Sequence, residues 1–445
     1  YMTYNDFHYE RLDLEKSKHL INEVISDFKS AKSADKQIEA IKKVDNFSRD
    51  YMTYQAMASL NFSRNINDVD AKAEKDYYDY ISPDMTELYD RFDKVLHKSK
   101  LLAEDVDEVI MGQVLTSAAG QNPARQASIN AGLLKSIPAY LINQVCGSGL
   151  RSIISGFQTI KLNEAKFIIS GGQENMSISP HAIYYRNDKK LLEDRLIDTM
   201  IYDGLVDAFN NYHMGVTAEN IAEKFQISRE EQDNFALKSQ NKTQLAIEQN
   251  KFEDELVKVN IGGNYLDKDE HPRKNLKIKD LKKLKTVFKE NGTVTPGNSS
   301  GINDGAAALL LTTLEEAKKK SIQPLAKIKS WASVGVEPSL MGLGPISAVK
   351  IAIKKAKWNI HDIDLFEINE AFAAQSIAVI KELNISNDKV NVNGGAIALG
   401  HPIGASGARI LVTLIHEMNK QNKSKGCATL CIGGGMGAAG LFEVY

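Results

Sequence analysis

Apolar side chains recur at helical spacing through the first hundred residues. Ile21, Val24, Ile25 and Phe28 share one face of a 3.6-residue period, and Ile38, Ile41, Val44 and Phe47 repeat the arrangement. That spacing predicts a helical segment over residues 1–100. From residue 101 the pattern changes. VDEVIMGQVL is a strand-like run that leads to a helix over SAAGQNPARQASINAGLL, and AKFIISGG ends a second strand in paired glycines. Strand and helix patterns then alternate, which predicts α/β layers.

The α/β part contains an internal repeat. Asp105-Val106-Asp107 opens one strand, and Asp362-Ile363-Asp364 opens another 257 residues later. Cys146-Gly147-Ser148-Gly149 and Gly404-Ala405-Ser406-Gly407 each open a helix, at an offset of 258. Two features at nearly one offset predict two similar halves. Between them, roughly over residues 175–300, lies a different segment. ISREEQDNFALKSQNKTQLAIEQNKF reads as helices with charge facing solvent. KNLKIKDLKKLKTVFK follows, with seven lysines between Lys274 and Lys289. These are either a solvated face or a holder of phosphates.

Composition sharpens the junction. All 30 glycines lie after residue 100, and the first hundred residues hold a single proline, Pro83. The absence of glycine fits long helices with few tight turns. Over 445 residues, 55 Lys and Arg oppose 57 Asp and Glu, for a net charge of −2. No whole-molecule field therefore draws the chain to nucleic acid or to an anionic membrane. No run approaches the roughly 20 apolar residues of a membrane span, and no apolar signal region opens the chain. The three cysteines, Cys146, Cys427 and Cys431, lack framework spacing and suggest reduced thiols in the cytoplasm.

Four positions can carry chemistry. Cys146, in NQVCGSGL, follows a strand-like run and precedes a helix with small first-turn residues. A helix N-terminus favours the thiolate, so Cys146 is either a nucleophile or a buried structural thiol. Cys431, in CIGGGMGAAG, follows the buried run ATLCI, and Gly433–Gly435 make a tight turn that exposes backbone donors. It is a nucleophile, a base or filler. His401, in GGAIALGHPIGASG, can orient and deprotonate a thiol, or be a hydrogen-bonded core residue. Asn369 follows the strand IDLFEI, as an N-cap or as the holder of an oxyanion-hole water. Together these residues lie at strand-to-helix junctions and glycine turns of a two-fold repeat, where α/β folds build sites. A nucleophilic Cys with a His partner implies acyl transfer, and a second thiol a separate proton transfer.

CGSGL, GGQENMS, HMGVTAEN, GNSSGINDGAAA, NEAFAAQ, NGGAIALGHPIGASG and CIGGGMG occur in order over residues 101–445, and this stretch closely resembles the thiolase family. DGLVDAFNNYHMGVTAEN is similar to its biosynthetic, acetoacetyl-CoA type. The resemblance implies two α/β/α halves related by a pseudo-two-fold: residues 101–322, including the loop domain, and residues 323–445. It implies an acetyl-CoA C-acetyltransferase that joins two acetyl-CoA into acetoacetyl-CoA and CoA, with no metal and no cofactor. Alternatives are a degradative 3-ketoacyl-CoA thiolase and an inactive or misjoined acyl-CoA-binding chimera. Cys146 would carry the acetyl group. His401 would activate it and, with a water on Asn369, form one oxyanion hole. Cys431 would move the α-proton, and the backbone N–H groups of Cys146 and Gly433 would form the second oxyanion hole. His213, Met214, Arg273, Phe288, Ser300 and Met341 would line the coenzyme A channel. A homodimer or homotetramer is implied.

Residues 1–100 resemble the N-terminal helical region of oligoendopeptidase F-type metallopeptidases, through YERLDLEKSKHLINEVISDFKSAKSADKQIEAIKKVDNF and EKDYYDYISPDMTELYDRF. The zinc motif H-E-x-x-H is absent from the chain, since His416-Glu417 is followed by Lys420. A fusion is implied, in which the thiolase part lacks its first strand and helix.

Overall fold

In a computed structural model, the described residues are 11–30, a set of positions between 40 and 79, and residues 103–183, 196–261 and 264–444. The chain divides into two compact units, Tyr1–Leu102 and Ala103–Tyr445.

In the first unit, helix α1 spans Leu14–Ser30. Asp13 starts it by accepting from the backbone N–H groups of Glu15 and Lys16 at 2.9 and 3.0 Å. The predicted face is the buried one: Ile21, Val24 and Ile25 form a core with Ala40, Val44 and Tyr51, and Phe28 and Phe47 pack against it. Ile38 and Ile41 lie outside the described residues.

The second unit holds two four-stranded sheets. The first contains β1 (Glu108–Gly112), β2 (Ala139–Ile142), β3 (Phe167–Glu174) and β4 (Gly305–Thr312) in the order β2-β1-β3-β4. The second contains β5 (Ala326–Gly335), β6 (Leu365–Ile368), β7 (Lys425–Ile432) and β8 (Met436–Val444) in the order β6-β7-β8-β5. In both, a parallel pair is followed by an antiparallel one: β1/β3 then β3/β4, and β6/β7 then β7/β8.

The repeat seen in the sequence is thus a repeat of structure. Asp107 accepts from the N–H groups of Lys166 and Phe167 and so ties the start of β1 to β3. Asp364 does the same for Ser424 and Lys425, at the start of β6 and β7. One difference separates the sheets. β8 pairs on both sides, with β7 and β5. Its counterpart β4 pairs among the described residues with β3 alone.

Helix α2 (Ser148–Lys161) leaves the β2 end of the first sheet. Helices α3 (Met214–Phe225) and α4 (Arg229–Glu248) lie in sequence between β3 and β4. Helices α5 (Gly344–Ala356), α6 (Ala373–Leu383) and α7 (Ser406–Lys420) complete the second half. α2 and α7 pack on each other between the two sheets, and α5 covers the other face of the second sheet. Leu150 and Ile153 of α2 meet Ile410, Leu411 and Leu414 of α7, with Leu430 and Phe442, in one core. This central layer fixes the starts of α2 and α7 next to each other.

Two expectations are corrected. The helix predicted over SAAGQNPARQASINAGLL is confined to Pro123–Asn130, because Gly120 and Asn122 take positive φ (80° and 45°) and end the run before Pro123. The charged face of α4 is exposed as predicted, but its buried face is polar: Gln232, Asp233, Ser239, Gln240 and Thr243.

Candidate active site

The turn before α2 positions Cys146. Val145 takes φ 47°, a region β-branched residues rarely enter. Its N–H donates to Asn143 Oδ1 at 2.9 Å. Ser148 Oγ donates to Val145 O and accepts from Gln144 N–H, at 2.6 and 2.8 Å. This crossed pair holds Cys146 at the mouth of the helix, with Gly147 as the N-cap. The Cys146 sulfur accepts from its own N–H and from that of Gly433, so turns of both halves meet at one thiol. Burial pushes that thiol up to about 11. The residue nevertheless keeps part of its surface open.

Gly433 lies in the turn between β7 and β8. Gly434 and Gly435 adopt φ 81° and 83°, and a Cβ on Gly435 would sit 2.8 Å from Pro338 Cα, so this turn requires glycine. Cys431 precedes it on β7, fully buried. It packs with Met214, Met341, Ala371 and Phe372, and Phe288 leans on the same group. Burial raises its thiol well above the ordinary range, and the charge of Cys146 raises it further. The two thiols therefore sense each other and resist ionising together.

His401 is buried, and burial lowers it to about 3, with the Arg409 guanidinium adding to the effect. Its ring is neutral at physiological pH. Ser406 Oγ lies 2.5 Å from His401 Nδ1 and donates to Pro402 O at 2.9 Å. With its proton committed to Pro402, the hydroxyl accepts from Nδ1–H, which assigns the lone pair to Nε2. Nε2 lies 3.4 Å from Asn369 Nδ2. Asn303 Oδ1 accepts from the His401 backbone N–H at 3.1 Å and fixes the turn from below.

Asn369 is not the N-cap of the following helix, which begins at Ala373 behind Phe372. Its own N–H donates to Thr429 O at 3.0 Å. Its side-chain Oδ1 is buried and accepts from no group among the described residues. The next residue, Glu370, is fixed by Ser239 and Asn391 side chains at 2.7 and 2.8 Å and by the Ile397 N–H. The polar face of α4 thus ends in the loops that carry Asn369 and His401.

The residues expected to line a channel divide. His213 Nδ1 accepts from Gly215 N–H at 3.0 Å, and the ring stacks on Phe288 with centroids 4.6 Å apart. Burial lowers the His213 pKa, so this ring is also neutral. Met214 and Met341 share the apolar group around Cys431. Ser300 donates to Ala371 O through both N–H and Oγ, at 3.0 and 3.1 Å. Arg273 is exposed, and its backbone N–H donates to Gln240 Oε1. Among the described residues, no hydrogen bond joins its guanidinium to the other channel residues.

Sequence reasoning singled out the thiols, His401 and Asn369, but it assigned no role to Ser406, Asn303, Glu174 or Glu370. Each of these acts through a hydrogen bond to backbone or to another side chain rather than through a motif of its own.

Two family matches cover the second unit: "Thiolase, N-terminal domain" over residues 84–315 and "Thiolase, C-terminal domain" over residues 322–444. "Peptidase M3 N-terminal domain" matches residues 4–121 and overlaps the first of these. The acetyl-CoA acetyltransferase of Rhizobium meliloti is 54% identical over 353 residues, covering 78% of this chain and 90% of the relative. The cytosolic acetyl-CoA acetyltransferase of Rattus norvegicus is 50% identical, covering 78% and 89%. Among solved structures, the Bacillus anthracis acetyl-CoA acetyltransferase superposes with a TM-score of 0.76 at 42% identity, covering 78% of this chain and 89% of that one. Human mitochondrial 3-ketoacyl-CoA thiolase in complex with CoA gives 0.75 at 41%, covering 78% and 88%.

Proposed function

The chain belongs to the thiolase family, and from that premise we infer that it is an acyltransferase, an acetyl-CoA C-acetyltransferase acting on coenzyme A thioesters. Two pairings support the reading: two thiols that sense each other, and a neutral imidazole that faces an amide. The Gly433 N–H reaches the Cys146 sulfur, Cys431 feels the Cys146 charge, and His401 Nε2 faces Asn369.

In the forward reaction the Cys146 thiol proton passes to His401 Nε2. The sulfur attacks the acetyl-CoA carbonyl, the bond to coenzyme A sulfur breaks, and the departing thiolate takes the proton of the Cys431 thiol, leaving Cys431 as a thiolate while His401 keeps the Cys146 proton on Nε2. Acetylation removes the charge that Cys146 would otherwise set against Cys431. Cys431 then takes the α-proton of a second acetyl-CoA. The enolate oxygen is held by the Nε2–H that His401 gained from Cys146 and by a water on the free carbonyl side of Asn369. The enolate carbon attacks the acetyl-Cys146 carbonyl, and its oxyanion is held by the N–H groups of Cys146 and Gly433. Collapse breaks the bond to the Cys146 sulfur and releases acetoacetyl-CoA; the Cys146 thiolate takes its proton back from His401 Nε2, and Cys431 keeps the α-proton, so all three groups return to their resting state.

His213, Phe288, Met214, Met341 and Ser300 would line the approach of the coenzyme A arm, and Arg273 would meet its phosphates at the exposed end. The bulky group around Cys431 favours a short acyl chain. A homodimer or homotetramer in the cytoplasm fits the reading. Among the described residues no helix is long and apolar enough to cross a membrane.

The test is thiolysis of acetoacetyl-CoA by the full chain, with Cys146→Ala as control. Loss of the enolate absorbance with wild type alone supports the assignment. A folded but inactive wild-type chain would sink it, and faster turnover of 3-ketohexadecanoyl-CoA would move it to the degradative type.

A further inference from the structure

Glu174 ends β3 and is buried, with 4% of its surface exposed. It has no place in the acyl-transfer steps. Its carboxylate accepts three backbone N–H groups: Val114 at 3.0 Å, Leu115 at 3.1 Å and Gly404 at 2.9 Å. Val114 and Leu115 follow β1 in the first half. They pack with Met176 and Ile403 against Cys146. Gly404 belongs to the second half, three residues after His401, in the turn that starts α7. One side chain therefore joins the wall beside the nucleophile to the turn that carries its base, across the boundary between the halves.

The fit around Gly404 has no slack. A Cβ there would come within 2.7 Å of Glu174 Oε2, 2.7 Å of Gln113 Cα and 2.9 Å of Gln173 O. All three partners of the carboxylate are donors, so the ionised form satisfies the arrangement and a protonated one would waste an oxygen. Burial raises the Glu174 carboxyl, and the three N–H bonds oppose that rise. Its charge also acts on Cys146, adding to the effect of burial in disfavouring the thiolate.

We propose that Glu174 is the positioning residue of this site, a carboxylate that locks the His401 turn against the wall beside Cys146. The proposal rests on the acyltransferase reading for its kinetic consequence, but not for its effect on the thiol. A thiol kept neutral in the resting enzyme is protected from oxidation and metal capture, and its thiolate, once formed, is the stronger nucleophile. The other ionisable groups around the pair are Asp304, which faces Glu174, Cys431, which faces Cys146, and His401 with Arg409 behind it.

Two substitutions separate geometry from charge. Glu174→Gln keeps the length and removes the charge, turning donors toward donors. Glu174→Asp keeps the charge and shortens the reach. Both should lower kcat for acetoacetyl-CoA thiolysis by about 10- to 100-fold with KM unchanged, as misplacement of a base does. The alkylation rate of Cys146 by iodoacetamide, followed against pH in the full chain, should move its midpoint to lower pH in Glu174→Gln and stay in place in Glu174→Asp. A merely structural residue would move both midpoints alike or neither, and that result overturns the proposal, as does a kcat within two-fold of wild type. If Glu174→Gln does not fold, Glu174→Asp decides through its kinetics: a lower kcat at unchanged KM supports the proposal, and a kcat within two-fold of wild type or a change confined to KM overturns it. The alkylation midpoints are readable without turnover, so an inactive wild type would sink the functional reading and leave this test standing.

Discussion

Gly149 and Gly407 face each other's helices at equivalent points of the two halves, 258 residues apart. A Cβ on Gly149 would lie 2.7 Å from the backbone nitrogen of Ala408, and one on Gly407 would lie 2.9 Å from Leu150 Cβ. The helix starts are in backbone contact, and those starts carry Cys146 on one side and the His401 turn on the other. Gly149→Ala or Gly407→Ala should push them apart. The expected cost is about 1–3 kcal/mol, the usual range for overpacking. A thermal melt should show it as a lower Tm, and thiolysis should fall with it because the two turns separate. An unchanged Tm would mean that the helices have room to part.

Ser406 fixes which nitrogen of His401 carries the lone pair. Ser406→Ala removes the acceptor of Nδ1–H and lets the ring turn or change tautomer. A loss of about 10- to 100-fold in kcat is expected, in the range of other groups that orient a functional imidazole. Coenzyme A binding should be unaffected, since Ser406 is buried behind the ring. The check is kcat and KM measured separately. A change confined to KM would contradict the role.

The repeat and the thiols were legible in the sequence for a physical reason. The Asp107 and Asp364 turns recur because each must bind two N–H groups at a strand start, so the same residue returns at the same offset. Cys146, His401 and Cys431 stand out because glycines crowd them. Glu174 gave no such signal, because its partners are 59, 60 and 230 residues away. The polar buried face of α4 was hidden for a similar reason. Ser239, Gln240 and Thr243 are buried polar residues whose partners, Glu370, Ile397 and Asn393, lie more than a hundred residues downstream. A helix whose inner face is polar reads as one whose polar residues all face water. Asn369 was open between N-cap and site, and the start of α6 at Ala373 removes the first of these.

The thiols should react in order. Burial raises both, but Cys431 is fully buried while Cys146 keeps some open surface. Iodoacetamide should therefore modify Cys146 first, and mass spectrometry of the digested chain should find Cys427 and Cys431 nearly unmodified at that stage. With the Cys146 thiol near 11, it is protonated at neutral pH and its rate should keep climbing as pH passes 9, the value at which an ordinary thiol is half ionised. A plateau at pH 9 or below would contradict the burial of this thiol.

The helical unit has its own core, so its stability should be separable from activity. Ile21→Ala removes a fully buried side chain from the group formed with Val24, Ala40, Val44 and Tyr51. A loss of about 2–5 kcal/mol is typical for such a truncation. Limited proteolysis should then cut the first hundred residues sooner, while thiolysis per folded thiolase unit stays constant. Loss of activity in step with cleavage would show that the second unit depends on the first.

Glu367 gives the fold a pH dependence of its own. It lies buried on β6, and burial raises its carboxyl to about 8, with the charges of Glu255 and Glu370 adding to the rise and Arg409 opposing it. Its Oε2 has no hydrogen-bond partner among the described residues, and the Arg409 guanidinium stands 3.8 Å away. The sign follows from linkage. Between the ordinary carboxyl value of 4.5 and about 8, the folded chain holds a proton on Glu367 that the unfolded chain has lost. The unfolded state then binds fewer protons, so stability falls as pH rises through this window. Glu367→Gln keeps the shape and removes the titration. Near pH 5 the variant and wild type should melt together. Near pH 8.5 the variant should be more stable by about one to a few kcal/mol, since each tenfold change in proton affinity is worth roughly 1.4 kcal/mol. Denaturant unfolding of both chains at the two pH values measures the difference directly. If the gap between them were the same at pH 5 and 8.5, the ionisation of Glu367 would not be the source of it.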